Sequence, residues 1–257
     1  MIVAIDGPAG SGKGTVTKEI AKRMGLINLD TGATYRCVAL ASLKHGIKLE
    51  EEDKIVSLID DLDIEFKYDK DDFIRVFLNG EEVTSEIRSF EVNKIVSPIS
   101  SIVRVRLKMV DLQRKMAEGK DVIMEGRDIG TYVFPNADVK IYLDADVEER
   151  AKRRFKENKE KGLDVTFEEV LENIKKRDEN DKHKEIGSLK IAEDAVIVDS
   201  TKLSIDEMAD AVEKIILEKT SASWLWLRVP VSLVLRSILT NLIPLGEIGI
   251  GNRIRRG

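Results

Sequence analysis

The stretch 2-IVAIDGPAGSGKGTVTKEIAKRMG-25 decides the fold. Its first four residues, Ile2 to Ile5, are apolar and lead up to Asp6, which reads as a buried parallel strand. Gly7, Gly12 and Lys13 keep the G-x-x-x-x-G-K spacing of a phosphate loop. Gly14 then stands where Ser or Thr is usual, and the hydroxyl arrives one place late at Thr15. Val16, Ile20, Ala21 and Met24 follow at helical spacing, with Gly25 as the stop. Strand, glycine loop and helix in that order aim main-chain N–H groups at the positive end of a helix, which makes an anion site suited to a nucleotide's phosphates. Gly7, Pro8, Ala9, Gly10, Ser11, Gly12, Lys13, Gly14 and Thr15 are therefore candidate phosphate contacts, with Lys13 able to reach the β- and γ-phosphates. Thr15 is the one candidate metal ligand, weak and acting directly or through water, because magnesium keeps several waters.

Outward from this loop, 26-LINLD-30 reads as a second strand and 34-TYRCVALASLKHG-46 as a second helix. From about 63 to 84 the texture turns β-rich, with an Asn79-Gly80 hairpin signal, so an antiparallel unit is expected inside a βα chain. The α/β rhythm resumes afterwards. Helices are expected over 104–119, 146–162, 167–184 and 204–219, and strands over 121–126, 139–144 and 195–200. That alternation predicts a mostly parallel sheet with helices on both faces.

The chain has 257 residues, enough for one large α/β domain or a core with an insert. A formal charge of −5 makes it a poor non-specific nucleic-acid binder. The single cysteine, Cys37, rules out a disulfide framework within the chain. With a strand at the very start and no leader pattern, a cytoplasmic setting is the expectation. Charge is uneven: up to residue 220 acids outnumber bases 46 to 37, whereas the remainder holds five arginines and one acid, Glu247. A boundary is placed near residue 221.

Arginine's planar fork grips phosphate oxygens bidentately, and seven arginines fall at loop and helix ends: Arg36, Arg106, Arg127, Arg150, Arg153, Arg154 and Arg177. Arg127 follows a strand and a glycine, at a strand's carboxyl end where α/β ligands bind. Arg150, Arg153 and Arg154 can share one helix face; in a Glu- and Lys-rich helix, ordinary ion pairs account for them equally well. Arg177 and Asp181 stand four apart, as a phosphate and ribose pair or as a simple intrahelical pair.

Several stretches resemble the bacterial cytidylate (CMP/dCMP) kinase family. These are LDTGATYR (29–36), SPISSIVRVR (97–106), RDENDKHK (177–184) and AEDAVIVDSTKLSIDEM (192–208). Longest of all is MEGRDIGTYVFPNADVKIYLDADVEERAKRR (124–154), and the G-K-G-T spelling of the phosphate loop suits nucleoside monophosphate kinases. The resemblance covers residues 1 to about 219. It implies an α/β phosphate-loop kinase fold, a parallel sheet flanked by helices with a small β-rich monophosphate-binding lobe and a short lid. The kinase domain would be residues 1–220, with core 1–36, 97–149 and 181–220, insert about 37–96 and lid about 150–180. Residues 221–257 would be a separate basic, hydrophobic tail.

The same resemblance implies transfer of the γ-phosphoryl group of ATP to CMP or dCMP, with Mg²⁺, by a kinase domain acting as a monomer without nucleic acid. Lys13, Arg127, Arg150 and Arg177 would act on the transferring phosphate. Arg150, Arg153 and Arg154 would belong to the lid over ATP. Thr31, Tyr35 and Arg36 would hold the acceptor phosphate. Ser97, Arg106 and Asp128 would read the pyrimidine, a carboxylate being a reasonable acceptor for an exocyclic amine. Arg177 and Asp181 would meet phosphate and ribose. Two positions depart from the family: Lys184 stands for an arginine, keeping charge but losing the fork, and Ser188-Leu189 stands for Pro-Leu.

Rival readings are another small-molecule kinase (UMP/CMP, AMP or shikimate) and a nucleotide-binding switch. The switch reading wants N-K-x-D, and Asn93-Lys94-Ile95-Val96 lacks the aspartate. In the tail, Arg228, Ser232, Arg236 and Thr240 recur every four residues among apolar ones. The stretch 224–245 is read as a peripheral membrane or protein contact, with a membrane span opposed by Pro230 and the two arginines, and a role-less extension as the third option.

Overall fold

In the computed structural model, residues 1–68, 74–160 and 162–228 are described. The chain divides into two compact units, Met1–Leu217 and Glu218–Gly257. The tail stretch 224–245 lies outside the described residues beyond Arg228.

β1 (Ile2–Asp6) enters the glycine loop, which hands over to α1 (Lys13–Met24). α1 stops where Gly25 turns left-handed and returns its N–H to the Ala21 carbonyl. β2 (Ile27–Asp30) leads straight into α2 (Thr31–Lys44), whose first turn is capped by the Asp30 carboxylate accepting from Ala33 N. α3 (Glu52–Asp60) precedes a small antiparallel sheet of β3 (Ile64–Tyr68), β4 (Ile74–Leu78) and β5 (Glu81–Glu82). The Asn79-Gly80 signal makes the expected two-residue turn, both residues at positive φ, with Leu78 opposite Glu81. The last strand is much shorter than the β-rich texture up to residue 84 suggests: after Glu82 the chain leaves the sheet for a 3-10 turn, Glu86–Arg88.

α4 (Phe90–Ser101) and α5 (Val103–Ala117) form a broken pair, separated where Ile102 adopts extended backbone. β6 (Val122–Gly126) ends in a π-helical turn, Ile129–Val133, ahead of β7 (Val139–Asp144). α6 (Val147–Glu160), α7 (Phe167–Lys182), β8 (Val196–Asp199) and α8 (Ile205–Arg228) complete the order.

The main sheet runs β2-β6-β1-β7-β8, and every pairing is parallel. Period-two alternation sends neighbouring residues of one strand to opposite faces. Val3 and Ile5 pack with α1 and α8 through Val16, Ile20, Val212 and Ile216. Ala4, with Val122 and Met124 of β6, packs with α5 through Val110 and Ala117. Both faces are therefore covered, as an all-parallel sheet requires. A second core joins α2, α3, α4, α5 and the small sheet, with Cys37, Ile55, Ile87, Ile99 and Met109 fully buried. α6 and α7 share a core of their own around Ala151, Val170 and Ile174, with Phe155 and Phe167 edge to face at 6.1 Å. The parallel register brings Asp6, Asp30, Gly126, Asp144 and Asp199 to one edge of the sheet. That edge, at the strands' carboxyl ends, is where α/β sheets place ligands.

Candidate active site

The phosphate loop owes its shape to glycines that no other residue could replace. At Gly7, φ is +150°, and an added Cβ would stand 2.1 Å from the Leu143 carbonyl oxygen. The loop is also held from inside. Lys13 is buried, and its ammonium donates to the Pro8 carbonyl at 2.7 Å and to Ser11 Oγ at 3.3 Å. Burial, then repulsion from Arg127, pull the lysine's pKa well below the usual ammonium range, while Glu125 and Asp6 oppose that.

Gly14 explains the odd spelling of the loop. A Cβ there would lie 2.8 Å from Glu125 Oε1. The carboxylate of Glu125 stands against the backbone where a Ser or Thr side chain would begin. Thr15 is exposed, and the hydroxyl of Thr17 is spent on the Lys13 carbonyl at 2.7 Å. Glu125 is a site residue that reading the sequence missed. Its one available signal was its place near the carboxyl end of a strand, two residues ahead of Arg127. Burial and repulsion from Asp30 raise its pKa to about 7, against Lys13, Arg127 and Lys18.

The three arginines of α6 do not act as one cluster. Arg150 is buried and tied to main chain, its guanidinium donating to the Ala145 and Ala9 carbonyls at 2.9 Å each and pairing with Asp178 at 2.7 Å. Arg153 donates to the Ser200 carbonyl at 2.6 Å, and the Ser200 hydroxyl donates to the Ser11 carbonyl at 2.9 Å. Arg154 is exposed beside Glu157, at 3.0 Å. Arg150 and Arg153 thus brace the glycine loop from behind, and Arg154 alone of the three keeps to the open side.

The second half of the site gathers around Arg127 and Asp128, just beyond β6. Arg127 Nε donates to Asp181 Oδ2 at 2.7 Å, and Lys184 Nζ meets the other Asp181 oxygen at 3.0 Å. Burial pushes the Asp181 pKa up, but Arg127, Lys184 and Arg177 together outweigh it and hold the group at about 2. Of the two readings of Arg177 and Asp181, the simple intrahelical ion pair is not formed: Asp181 pairs with Arg127 and Lys184 instead. Arg177 itself is exposed, and its field comes from Arg127, Arg36 and Arg154 with Asp181 opposing. Lys184 also donates to Ser100 Oγ at 3.2 Å and lines a recess with Ser97.

Arg106 and Asp128 form an ion pair in which each residue is only 4% exposed. Burial raises the Asp128 pKa against the pull of Arg106, Lys184 and Arg127. Arg106 also donates to the Gly187 carbonyl at 3.1 Å, and its Nε makes no hydrogen bond within the protein. Gly187 sits at φ +62°, where a Cβ would fall 2.1 Å from Asp128 Oδ2. The Tyr35 ring lies 5.7 Å from the Arg106 guanidinium, and burial pushes its phenol upward in pKa. Thr31 donates to the Glu125 carbonyl at 2.7 Å, pinning α2 to β6. Arg36 reaches Asn93 Oδ1 at 2.5 Å.

The cleft edge therefore carries two cationic sets, one around Lys13 and one around Arg127, close enough that Arg127 and Arg177 both repel the Lys13 ammonium. Such a pair can hold two anionic groups together and stabilise charge passing between them.

The sequence profile of the family described as Cytidylate kinase matches residues 3–218. Among curated relatives, Cytidylate kinase of Caldicellulosiruptor bescii is 50% identical over 210 residues, 82% of this chain and 92% of its own length. Cytidylate kinase of Vibrio cholerae is 46% identical over 209 residues, 81% of this chain and 92% of its own. Cytidylate kinase of Bacillus subtilis is 45% identical over 218 residues, covering 85% and 97%.

Proposed function

The chain belongs to the cytidylate kinase family, and from that premise we infer that it transfers the γ-phosphoryl group of ATP to CMP or dCMP, leaving ADP and CDP or dCDP. The observation that carries this reading is the placement of Arg127 between the phosphate-loop lysine and the Asp181–Lys184 pair. An acceptor phosphate is already anionic and needs no general base. Bringing it to a triphosphate is an electrostatic problem, solved by alignment and by cations that follow the migrating charge.

In this reading the glycine loop and Lys13 hold the β- and γ-phosphates of ATP. Arg127 and Arg177 bridge the transferring group, with Arg154 and Arg36 adding to the same field. Arg106, Asp128 and Ser97 read the base, with Tyr35 beneath the Arg106 guanidinium. Asp181 and Lys184 face the ribose and its phosphate. Arg150 acts on the loop through the Ala9 carbonyl, and Arg153 through Ser200, whose hydroxyl donates to the Ser11 carbonyl. Mg²⁺, when bound, would screen the β- and γ-phosphate charges. No cluster of three or more His, Cys, Asp or Glu that could hold a metal exists among the described residues. The donor that fits is the Glu125 carboxylate at Gly14, with the exposed Thr15 hydroxyl reaching the ion through water, which suits an ion that keeps most of its waters.

No described helix is long and apolar enough to cross a membrane. The apolar stretch 224–245 supports a peripheral contact, tested by comparing vesicle association of the full chain and a chain ending at Thr220. The central test is an enzyme-coupled assay with ATP against CMP, dCMP, UMP, AMP and shikimate. CMP or dCMP is expected to be the preferred acceptor, and preference for any of the other three would overturn the assignment.

A further inference from the structure

The β1–β6 ladder ends at the pair Asp6 and Gly126. Beyond it the two chains part, one into the phosphate loop and the other into Arg127 and Asp128. One side chain bridges the split. Asp6 is 5% exposed, its Oδ1 accepts from Ile129 N at 2.8 Å, and its Oδ2 accepts from Gly130 N at 2.7 Å. Those amides open the π-helical turn, and the first N–H groups of a helical turn have no partner within it. A carboxylate supplies one charged acceptor to each.

From the other side, the Asp128 carbonyl accepts from Tyr132 N at 2.8 Å and Val133 N at 3.0 Å. Arg127 and Asp128 are thus confined between the end of the β6 ladder and a clamped turn. Burial opposes ionisation of Asp6, and the two amides and Lys13 favour it. An apolar residue would fill the position without a buried charge, so packing alone does not explain the carboxylate.

We propose that Asp6 is a positioning residue: by holding both amides at the start of the π-helical turn it keeps Arg127 and Asp128 in register with the phosphate loop. This rests on the phosphoryl-transfer reading. It assigns Asp6 an effect on the acceptor half of the site from a position on the donor half.

The test begins with CMP phosphorylation by the wild-type chain, whose absence would sink the function reading alone. Asp6→Asn keeps the side-chain shape but sets an amide NH₂ against one of the two N–H groups. It should lower kcat/KM for CMP about 10- to 100-fold while KM for ATP moves less than about twofold. Because Asp6 acts in part through Arg127, the double variant Asp6→Asn/Arg127→Ala should lose clearly less than the two single losses combined. Amide exchange on the wild-type protein asks the same question without a variant: Ile129 and Gly130 should exchange slowly with and without CMP. Wild-type kinetics in Asp6→Asn, fully additive losses in the double variant, or fast exchange at both amides would each overturn the proposal.

Discussion

The two halves of the cleft are built on opposite plans. The donor half is a main-chain structure: glycines at positive φ shape it, and Lys13, Arg150, Arg153 and Ser200 brace it by bonding to its carbonyls or to those just behind it. The acceptor half is a side-chain structure, in which Arg106 pairs with Asp128, and Arg127 and Lys184 with Asp181. Main-chain geometry is fixed at folding and suits phosphates, which every nucleoside triphosphate shares. Ion pairs can be traded for equivalent bonds to a ligand, and suit a half that must tell one acceptor from another. The contrast predicts that donor-side changes act on rate or on the whole fold, and acceptor-side changes on choice of acceptor.

On the proposed reading Arg127 serves both halves, so it should break the contrast most severely. Arg127→Ala removes a cation from the migrating charge, and losses of this kind run to roughly 10³-fold in kcat. It also leaves Asp181 with Lys184 as its remaining close ion-pair partner. Turnover should collapse while circular dichroism and the unfolding temperature stay near wild type. A loss of less than about tenfold would return Arg127 to a merely structural place.

Glu125 sharpens the contrast from the donor side. With its pKa raised to about 7, the carboxylate takes up a proton as pH falls through neutrality. Its negative charge beside Lys13 is then lost, so kcat should fall on the acid side, and Glu125→Gln should be slower by roughly 10²-fold and lack that limb. Stability moves the other way. A carboxyl whose folded pKa lies above its unfolded value of 4.5 ionises first in the unfolded chain. It therefore costs stability as pH rises from the unfolded value through about 7. Glu125→Gln should gain in unfolding temperature relative to wild type over that same window, without nucleotide. A variant that is both slower and less stable at every pH would contradict this.

How much of this was legible beforehand follows the same division. The strand, loop and helix at 2–25 were readable because each step is local, as was the Asn79-Gly80 turn. Arg127 stood out because it follows a strand and glycine in sequence, and Asp128 came only with the family resemblance. What the sequence concealed depends on approach between distant segments. Gly14 looks like a lost hydroxyl until Glu125 is seen against it, more than a hundred residues away. Arg150 looks like an exposed lid residue until the Ala9 carbonyl is seen to hold it. α3 and α4 went unread beside the β-rich run, and α4 carries Pro98 within it, a residue that argues against a helix on local grounds.

Gly187 offers the smallest effect and the most selective one. Its backbone sits at φ +62°, so alanine there should cost roughly 1–2 kcal/mol as left-handed strain. Gly119 sits at φ +68° with nothing within 4 Å of a Cβ, so Gly119→Ala carries the same strain and no collision. At 187 the methyl would meet Asp128 Oδ2 at 2.1 Å and Arg106 Nε at 2.3 Å, forcing the pair or the loop to shift. Gly187→Ala should therefore lose at least as much stability as Gly119→Ala, and the two should differ in kinetics. Gly187→Ala should raise KM for CMP about tenfold, equivalent to about 1.4 kcal/mol of binding, with KM for ATP unchanged. Gly119→Ala should leave both constants alone. If Gly187→Ala raised both KM values together, the acceptor half would not be separable from the donor half. Selectivity would then have to be sought in the Asp181–Lys184 pair rather than in the Arg106–Asp128 pair that Gly187 covers.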